Sequence, residues 1–192
     1  MAWNPGVFTD GAEAPLDLGW SFWRPEADDT HQRETPEPPA DAPWHPCAVP
    51  AAWETYDIPK AFAGPVWFRC LAAVPATWAG SRLLVHFEAV SYACRVFWDG
   101  HEVGAHIGAW DAFDVDVPAR AASPGPHTLT VCVHKPGGRY PLRGTLAGFL
   151  PYVGGTMFGG LWQGVSLRRA RHVVVEDVDT APLPALGGAR SR

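Results

Sequence analysis

An all-β fold, built as an antiparallel sandwich, is the fold class that the sequence predicts, and three observations support it. The 192 residues include 20 glycines and 20 prolines, which divide a chain into short segments. Seven or eight of these segments have the composition or the apolar–polar alternation of β-strands, with turn residues between them. No stretch keeps the period of an amphipathic helix. Because 47% of the residues are apolar and only 18% are charged, the chain can also bury a packed core.

The predicted elements follow a loose lead-in at residues 1–15. Residues 16–25 hold several aromatic side chains and are compatible with a further short strand. An acidic, proline-rich loop follows at 26–43, which we expect to be exposed or mobile, and then an irregular connection at 44–64. Further strands are predicted at 66–74, 81–90, 93–98, 101–108, 113–117, 127–134, 161–169 and 172–178. Asp99 and Gly100 separate two of these strands, and an Asp-Gly pair predicts a type I′ hairpin.

Alternation assigns faces to two of the strands. Within 81–90 one face is predicted to hold Leu83, Val85, Phe87 and Ala89, and the other Arg82, Leu84, His86 and Glu88. Within 113–117 the apolar residues point inward, so Asp114 and Asp116 are predicted on a solvated outer face.

Charge and cysteine usage exclude several classes of protein. The net charge is −5, with two lysines against thirteen arginines and no basic stripe, so nucleic acid is not an expected partner. No apolar run reaches the roughly 18 residues that a membrane span needs. The first residues lack the features of a secretory signal, and the four cysteines form no CxxC pair. We therefore expect a cytoplasmic protein with reduced thiols, of which Cys70, Cys94 and Cys132 lie within strands.

Two carboxylates, Glu88 and Asp111, are the candidates for a glycosidase acid pair, because Asp99 has a role in the hairpin turn. A hydrogen-bonded structural role is the favoured alternative for Glu88. No catalytic residue is therefore assigned from the sequence.

Metal and cofactor sites are not predicted. His101 and His106 lie five positions apart, which places them on opposite faces of a strand unless a bulge intervenes. The sequence has neither a GxSxG-like nucleophile elbow nor a glycine motif typical of nucleotide binding, so we expect no nucleophilic triad and no cofactor.

A glycine-rich connection at 135–160 is long enough to carry function. Aromatic faces suit the C–H surfaces of a sugar, and forked donors suit its hydroxyls. The candidate sugar-binding residues in and beside this connection are Arg139, Tyr140, Arg143, Tyr152, Trp162 and Gln163. The alternative is that these side chains only hold the long connection in place.

An ordered set of motifs resembles the N-terminal jelly-roll, or sugar-binding, domain of family 2 glycoside hydrolases, the β-galactosidase, β-glucuronidase and β-mannosidase group. The motifs are LDLGWSF at 16–22, VPAAW at 49–53, AGPVWFRCLAAVP at 63–75, FEAVSYACRVFWDGHEVGAHIGAWDAFDVDV at 87–117, HTLTVCV at 127–133 and GGLWQGVSLRR at 159–169. The resemblance implies a galactose-binding-domain-like jelly roll over 16–171. It also implies that 172–192 begins an immunoglobulin-like domain or forms a tail.

Two departures from the family pattern limit what the resemblance implies. In β-galactosidases an aspartate of the last motif contacts the sugar, and the matching position here is Gly164, with Gln163 in place of the neighbouring arginine. The family's catalytic glutamates belong to a later barrel domain that this sequence does not include. The resemblance therefore implies an accessory domain, non-catalytic alone, whose partners are a glycosidase barrel and carbohydrate.

Two other functions stay open at this stage. One is a free-standing carbohydrate-binding jelly roll, and the other is a small glycosidase that uses Glu88 and Asp111. A carbohydrate-binding module should bind a sugar saturably and lose affinity on Trp162→Ala, whereas an enzyme should cleave a chromogenic glycoside and lose activity on Glu88→Gln.

Overall fold

Two antiparallel sheets pack face to face in the computed structural model, which describes residues 12–25, 37–59, 62, 64–135 and 158–170. Within these residues the strands are β1 (Glu13–Pro15), β2 (Ser21–Trp23), β3 (His45–Pro46), β4 (Val66–Val74), β5 (Arg82–Phe87), β6 (Ala93–Trp98), β7 (His101–Ile107), β8 (Phe113–Val117), β9 (Gly125–His134) and β10 (Val165–Ala170). Single 3-10 turns occur at Trp53–Tyr56, Ala76–Trp78 and Ala119–Ala121. None of the described segments forms a helix that could cross a membrane.

The strand order confirms the predicted sandwich. One sheet has four strands in the order β1-β10-β5-β8, and the other has six in the order β3-β2-β4-β9-β6-β7. The inner faces supply one large core, whose fully buried side chains include Phe68, Phe87, Val96 and Trp98. A second, smaller cluster of Trp23, Trp67, Phe97 and Cys132 lies on the other face of the six-stranded sheet. The six-stranded sheet therefore carries apolar side chains on both faces.

Most predicted strands are found close to their expected bounds, and three differences are informative. Residues 13–15 are not a loose lead-in, because β1 pairs with β10 through Glu13 and Arg168. The strand predicted at 81–90 ends at Phe87, and the strand predicted at 161–169 starts only at Val165. The strand predicted at 172–178 lies outside the described residues. Residues 37–43 are mostly exposed, as expected for that part of the acidic loop.

The hairpin between β6 and β7 has the predicted turn. Asp99 and Gly100 both have positive φ, 49° and 79°, as a type I′ turn requires. A bulge follows, because Val96 pairs with Gly104 while Phe97 pairs with Glu102. The extra residue on β7 changes which face the following side chains take.

Because of that bulge, His101 and His106 can share a face of β7 although they are five positions apart. His101 pairs with Trp98 and His106 pairs with Cys94, so both histidines take the inner side of β7. They nevertheless lie near opposite ends of the strand. The described part of the chain contains no group of three or more His, Cys, Asp or Glu side chains that could hold a metal ion.

The prediction that Asp114 is solvated is wrong. Its side chain is only 11% exposed and its Oδ1 lies 2.9 Å from Nδ1 of His86, which is itself buried. Asp116 is exposed as expected and forms an ion pair with Arg82 at 2.5 Å. Alternation correctly separates the two faces of β8, but it does not reveal that a polar side chain on the next strand will enclose and bind Asp114.

The four cysteines are free thiols, and Cys70, Cys94 and Cys132 are buried as the sequence predicted. Burial raises the pKa of Cys70 to about 12 and that of Cys94 to about 12. Because the thiolate is the reactive form, these side chains behave as small apolar groups rather than as nucleophiles.

A buried histidine gives the fold a defined sensitivity to acid. His134, the last residue of β9, is 5% exposed, and burial, with a smaller contribution from the positive charge of Arg95, lowers its pKa to about 4. The unfolded chain, with a histidine pKa of about 6.5, takes up the proton first as the pH falls. This residue is therefore expected to cost about 2 kcal/mol of stability between pH 6.5 and pH 5.

The test is urea unfolding at pH 6.5, 5.8 and 5.0, compared between the parent and His134→Gln. The comparison is needed because burial also lowers the pKa of His106, which acts in the same direction. Asp99 and a backbone carbonyl outweigh burial and raise the pKa of His127, so its stabilising contribution grows only slightly between pH 6.5 and pH 5, in the direction opposite to that of His134. Equal slopes in the two proteins would contradict the assignment to His134.

Candidate functional site

Three connections meet at one end of the sandwich, where the strands of both sheets begin or finish. They are residues 88–92 after β5, residues 108–112 before β8 and residues 158–164 before β10. The 3-10 turn at Trp53–Tyr56 packs beside them. Lys135 and Phe158, the described residues on either side of 136–157, both belong to this end, so the long glycine-rich connection leaves and returns here. We refer to this end of the sandwich as the loop end.

The segment 158–164 is held by main-chain hydrogen bonds on both sides. Gly160 and Ser91 exchange two of them, at 2.8 and 3.0 Å. On the other side the N–H of Trp53 donates to the carbonyl of Gly159 at 2.8 Å. Gly159 needs its lack of a side chain, because a Cβ there would lie 2.3 Å from Cε2 of the Trp53 indole. The double-glycine sequence therefore lets this segment pass directly over a fully buried tryptophan.

A buried ion pair links the residues that flank the long connection. Nζ of Lys135 lies 2.5 Å from Oε1 of Glu54, and their side chains are only 2% and 14% exposed. The other carboxylate oxygen of Glu54 accepts the N–H of Gly159 at 3.3 Å. The Lys135 ammonium also lies 5.3 Å from the centre of the Trp53 ring. One carboxylate thus binds the residue before 136–157 and a residue just after it.

Three aromatic rings form a cluster at the surface of the loop end. Trp110, Phe158 and Trp162 meet edge to face, with ring centres 5.0 to 5.7 Å apart. Nε1 of Trp162 donates to the carbonyl of Ala109 at 2.9 Å, which fixes its ring. Trp110 is 52% exposed. The loop end therefore presents a rigid aromatic surface to solvent, with Gln163 next to it in the chain.

Glu88 has the structural role that was the alternative to catalysis. It is exposed, and its Oε2 accepts the N–H of Gly164 at 3.0 Å, while its own N–H donates to the Gly164 carbonyl at 2.9 Å. A Cβ at Gly164 would lie 3.0 Å from that same carboxylate oxygen. The position where β-galactosidases carry an aspartate is therefore occupied here by a backbone that binds Glu88.

Asp111, the other proposed acid, is exposed on the neighbouring connection, near His106. His106 stacks on Phe113 with ring centres 3.9 Å apart, and Phe113 stacks on Phe87 at 4.8 Å. Burial lowers the pKa of His106, although the charge of Asp111 opposes the change. A neutral imidazole in this ring stack contributes to packing at this end of the sandwich.

Two of the six predicted sugar-binding residues, Trp162 and Gln163, are placed at the loop end. The other four, Arg139, Tyr140, Arg143 and Tyr152, lie outside the described residues. Sequence reasoning did not select Trp110 or Phe158, because only the fold brings their rings beside Trp162. It also missed Lys135, although lysine occurs only twice in the sequence and this rarity could have drawn attention to the residue.

The curated relatives of this chain include a protein with a glycosidase name. The chain is 30% identical over 116 residues to a β-glucuronidase of Paenibacillus borealis, a match that covers 54% of this chain. The match spans only 18% of that enzyme's length. No protein-family model matches the sequence.

Solved structures share the fold. A Bacteroides uniformis β-glucuronidase matches 84% of this chain with a TM-score of 0.62 at 21% identity, and the match covers 18% of that protein. A β-glucuronidase from an uncultured Clostridium matches 89% with a TM-score of 0.60 at 20% identity, over 31% of its chain. A family 2 β-galacturonidase of Eisenbergiella tayi matches 84% with a TM-score of 0.57 at 21% identity, over 25% of its chain. The fold that this chain shares with part of each of these proteins agrees with the resemblance to family 2 glycoside hydrolases first seen in its sequence motifs.

Proposed function

We propose that this chain acts as an accessory domain of a family 2 glycoside hydrolase and that its loop end faces the sugar. The observation that carries the proposal is the aromatic cluster of Trp110, Phe158 and Trp162, whose outermost ring is 52% exposed. Flat aromatic surfaces of this kind bind the C–H faces of pyranose rings while polar neighbours bind the hydroxyls. Gln163, next to Trp162 in the chain, supplies a polar group.

The partial length of the matches supports an accessory role. The relatives named above are glycosidases, and this chain corresponds to between 18% and 31% of each of them. The arrangement of Glu88 argues against an independent acid pair, because its carboxylate is bound to the backbone N–H of Gly164. Catalysis is therefore assigned to another part of such an enzyme, with this domain forming one wall of the pocket.

Nuclear magnetic resonance titration tests the sugar-facing role. The protein is titrated with the methyl β-glycosides of glucuronate, galacturonate and galactose, and the indole N–H resonances of its ten tryptophans are followed. We expect weak, saturable shifts that include Trp110 and Trp162, and we expect Trp162→Ala to remove them. Trp44→Ala, which changes a tryptophan outside the loop end, is the matched control and should leave the Trp110 shifts intact.

The other outcomes are equally informative. An absence of shifts at Trp110 and Trp162 with all three glycosides would contradict a sugar-facing loop end. Tight binding by this chain alone would instead favour a free-standing carbohydrate-binding module. Cleavage of a chromogenic β-glycoside, abolished by Glu88→Gln, would contradict the non-catalytic role.

A further inference from the structure

A second concave site lies on the outer face of the six-stranded sheet, remote from the loop end. It is a groove of about 310 Å³, at the lower end of the range of small-molecule sites. Gly100, at the hairpin end of β6, lines it, whereas the loop end lies at the other end of that strand. Residues 37–40 form one wall and the sheet forms the floor. We call it the outer groove.

Aromatic rings form the apolar part of the outer groove. Trp67 on β4 and Phe97 on β6 lie with ring centres 5.3 Å apart and tilted by 37°, and both belong to the smaller apolar cluster, where they are only 3% and 8% exposed. Trp44 stands at the side, partly buried against the same cluster. The floor is therefore made of rigid rings whose positions are set by packing rather than by a ligand.

Polar side chains point into the same space from neighbouring strands. Arg69 pairs with Thr130 across β4 and β9, and Thr130 pairs with Phe97 across β9 and β6, so these side chains share the outer face. The guanidinium of Arg69 stacks over the Trp44 ring at 4.0 Å. Among the described residues, nothing forms a hydrogen bond or an ion pair with that guanidinium, nor a hydrogen bond with the hydroxyls of Thr128 and Thr130. Stacking fixes the plane of the Arg69 side chain and leaves its N–H groups available to a ligand.

The charges of the outer groove select the type of ligand. Glu37 on one wall offers a carboxylate, and Arg69 offers a guanidinium, so the lining has one acidic and one basic group and no net charge. A neutral, polyhydroxylated ring fits this combination. Its C–H groups contact the exposed edges of Trp67 and Phe97, its vicinal hydroxyls accept from the fork of Arg69, and another hydroxyl donates to Glu37. An anionic ligand would gain from Arg69 but would be repelled by Glu37.

We infer that the outer groove is a binding site for one neutral pyranose unit, separate from the sugar-facing surface proposed for the loop end. This inference does not depend on that proposed function, because it rests on different residues at a different place on the sheet. In this role Trp67 and Phe97 close the floor of the groove and set its depth. Arg69, Thr128 and Thr130 bind the ring hydroxyls, and Trp44 keeps Arg69 in its binding orientation.

The test is a titration of the intact chain with methyl glucoside, methyl galactoside and methyl mannoside, followed by backbone amide and indole N–H resonances. We expect saturable shifts with at least one of them, at the amides of Thr128 and Thr130 and at the indoles of Trp44 and Trp67. Arg69→Met keeps a long apolar side chain beside Trp44 but removes the guanidinium and its donors, and should weaken binding by about tenfold or more. Thr130→Val, which keeps the shape, should weaken it several-fold, by roughly the value of one hydrogen bond.

Leu71→Ala is the matched control, because Leu71 lies on the same face of β4, is 72% exposed and does not line the outer groove. It should bind like the parent, and Trp162→Ala should also bind normally in this groove. The inference is overturned if no neutral glycoside shifts these resonances, or if Arg69→Met and Thr130→Val bind as tightly as the parent. It is equally overturned if sodium benzoate or a proline-rich peptide occupies the groove while the glycosides do not.

Discussion

Replacing Glu54 with alanine is expected to lower the free energy of unfolding by about 3–5 kcal/mol, a larger loss than breaking a surface ion pair of this protein should cause. The variant would leave the ammonium of Lys135 without its carboxylate partner in a site where the lysine is only 1% exposed. It would also remove the acceptor of the Gly159 N–H. Urea unfolding at pH 7 measures the loss, and amide shifts at 158–161 should show that the returning segment is disturbed.

Two variants make this prediction specific. Glu102→Ala removes another glutamate of an ion pair, but its pair with Arg95 is at the surface, where the loss should be about 1 kcal/mol or less. The double variant Glu54→Leu/Lys135→Met removes both charges together and should recover most of the stability lost by Glu54→Ala. If Glu54→Ala lowers the free energy of unfolding no more than Glu102→Ala does, the buried pair does not stabilise the residues at the two ends of the connection.

Trp53→Ala is expected to cost a similar amount, about 3–5 kcal/mol, for a different physical reason. The side chain is fully buried, and it fills the space between Gly159 and the ring of Phe62, whose centre is 6.2 Å away. Its removal would leave a cavity beneath the segment that leads to the aromatic cluster. Thermal and urea unfolding should both show the loss.

Trp110→Ala is the matched control for this second prediction. The same atoms are deleted, but the side chain is 52% exposed, so the expected loss is about 1 kcal/mol or less. Because Trp53 and Glu54 are adjacent and share contacts with Gly159 and Lys135, the effects of Trp53→Ala and Glu54→Ala should not add. A loss at Trp53 as small as that at Trp110 would show that the segment over Trp53 repacks without it.

Local sequence patterns were sufficient for the sandwich because strands and hairpins are encoded by neighbouring residues. Three strands, at 66–74, 93–98 and 113–117, have the bounds that β-propensity and alternation predicted. The Asp99-Gly100 hairpin was predictable because positive φ at two successive positions strongly favours those residues. Short strands were missed, since three residues at Glu13–Pro15 or two at His45–Pro46 are too few to show a period.

The site features were less predictable because they join distant parts of the chain. Lys135 and Glu54 are 81 positions apart, and Trp162 and Ala109 are 53 apart, so no local pattern relates them. Asp114 was assigned to the correct face but to the wrong environment, since its burial depends on His86 of another strand. Composition suggested that aromatic side chains would bind sugar, whereas their grouping into a loop-end cluster and an outer groove required the register of both sheets.

The pairing of β1 with β10 has a consequence for the order in which the protein can fold. Glu13 and Arg168 are 155 positions apart, so the four-stranded sheet closes between the earliest and the latest strands described. On the ribosome, β5 and β8 can pair as soon as they emerge, but the other side of β5 has no partner until Val165–Ala170 has been synthesised. During that interval β5 presents an open edge on which another chain could pair. Ribosome-bound chains that end before Val165 should therefore be the most aggregation-prone species of this protein, and folding should be slow for its size because its closing contact is so distant in sequence.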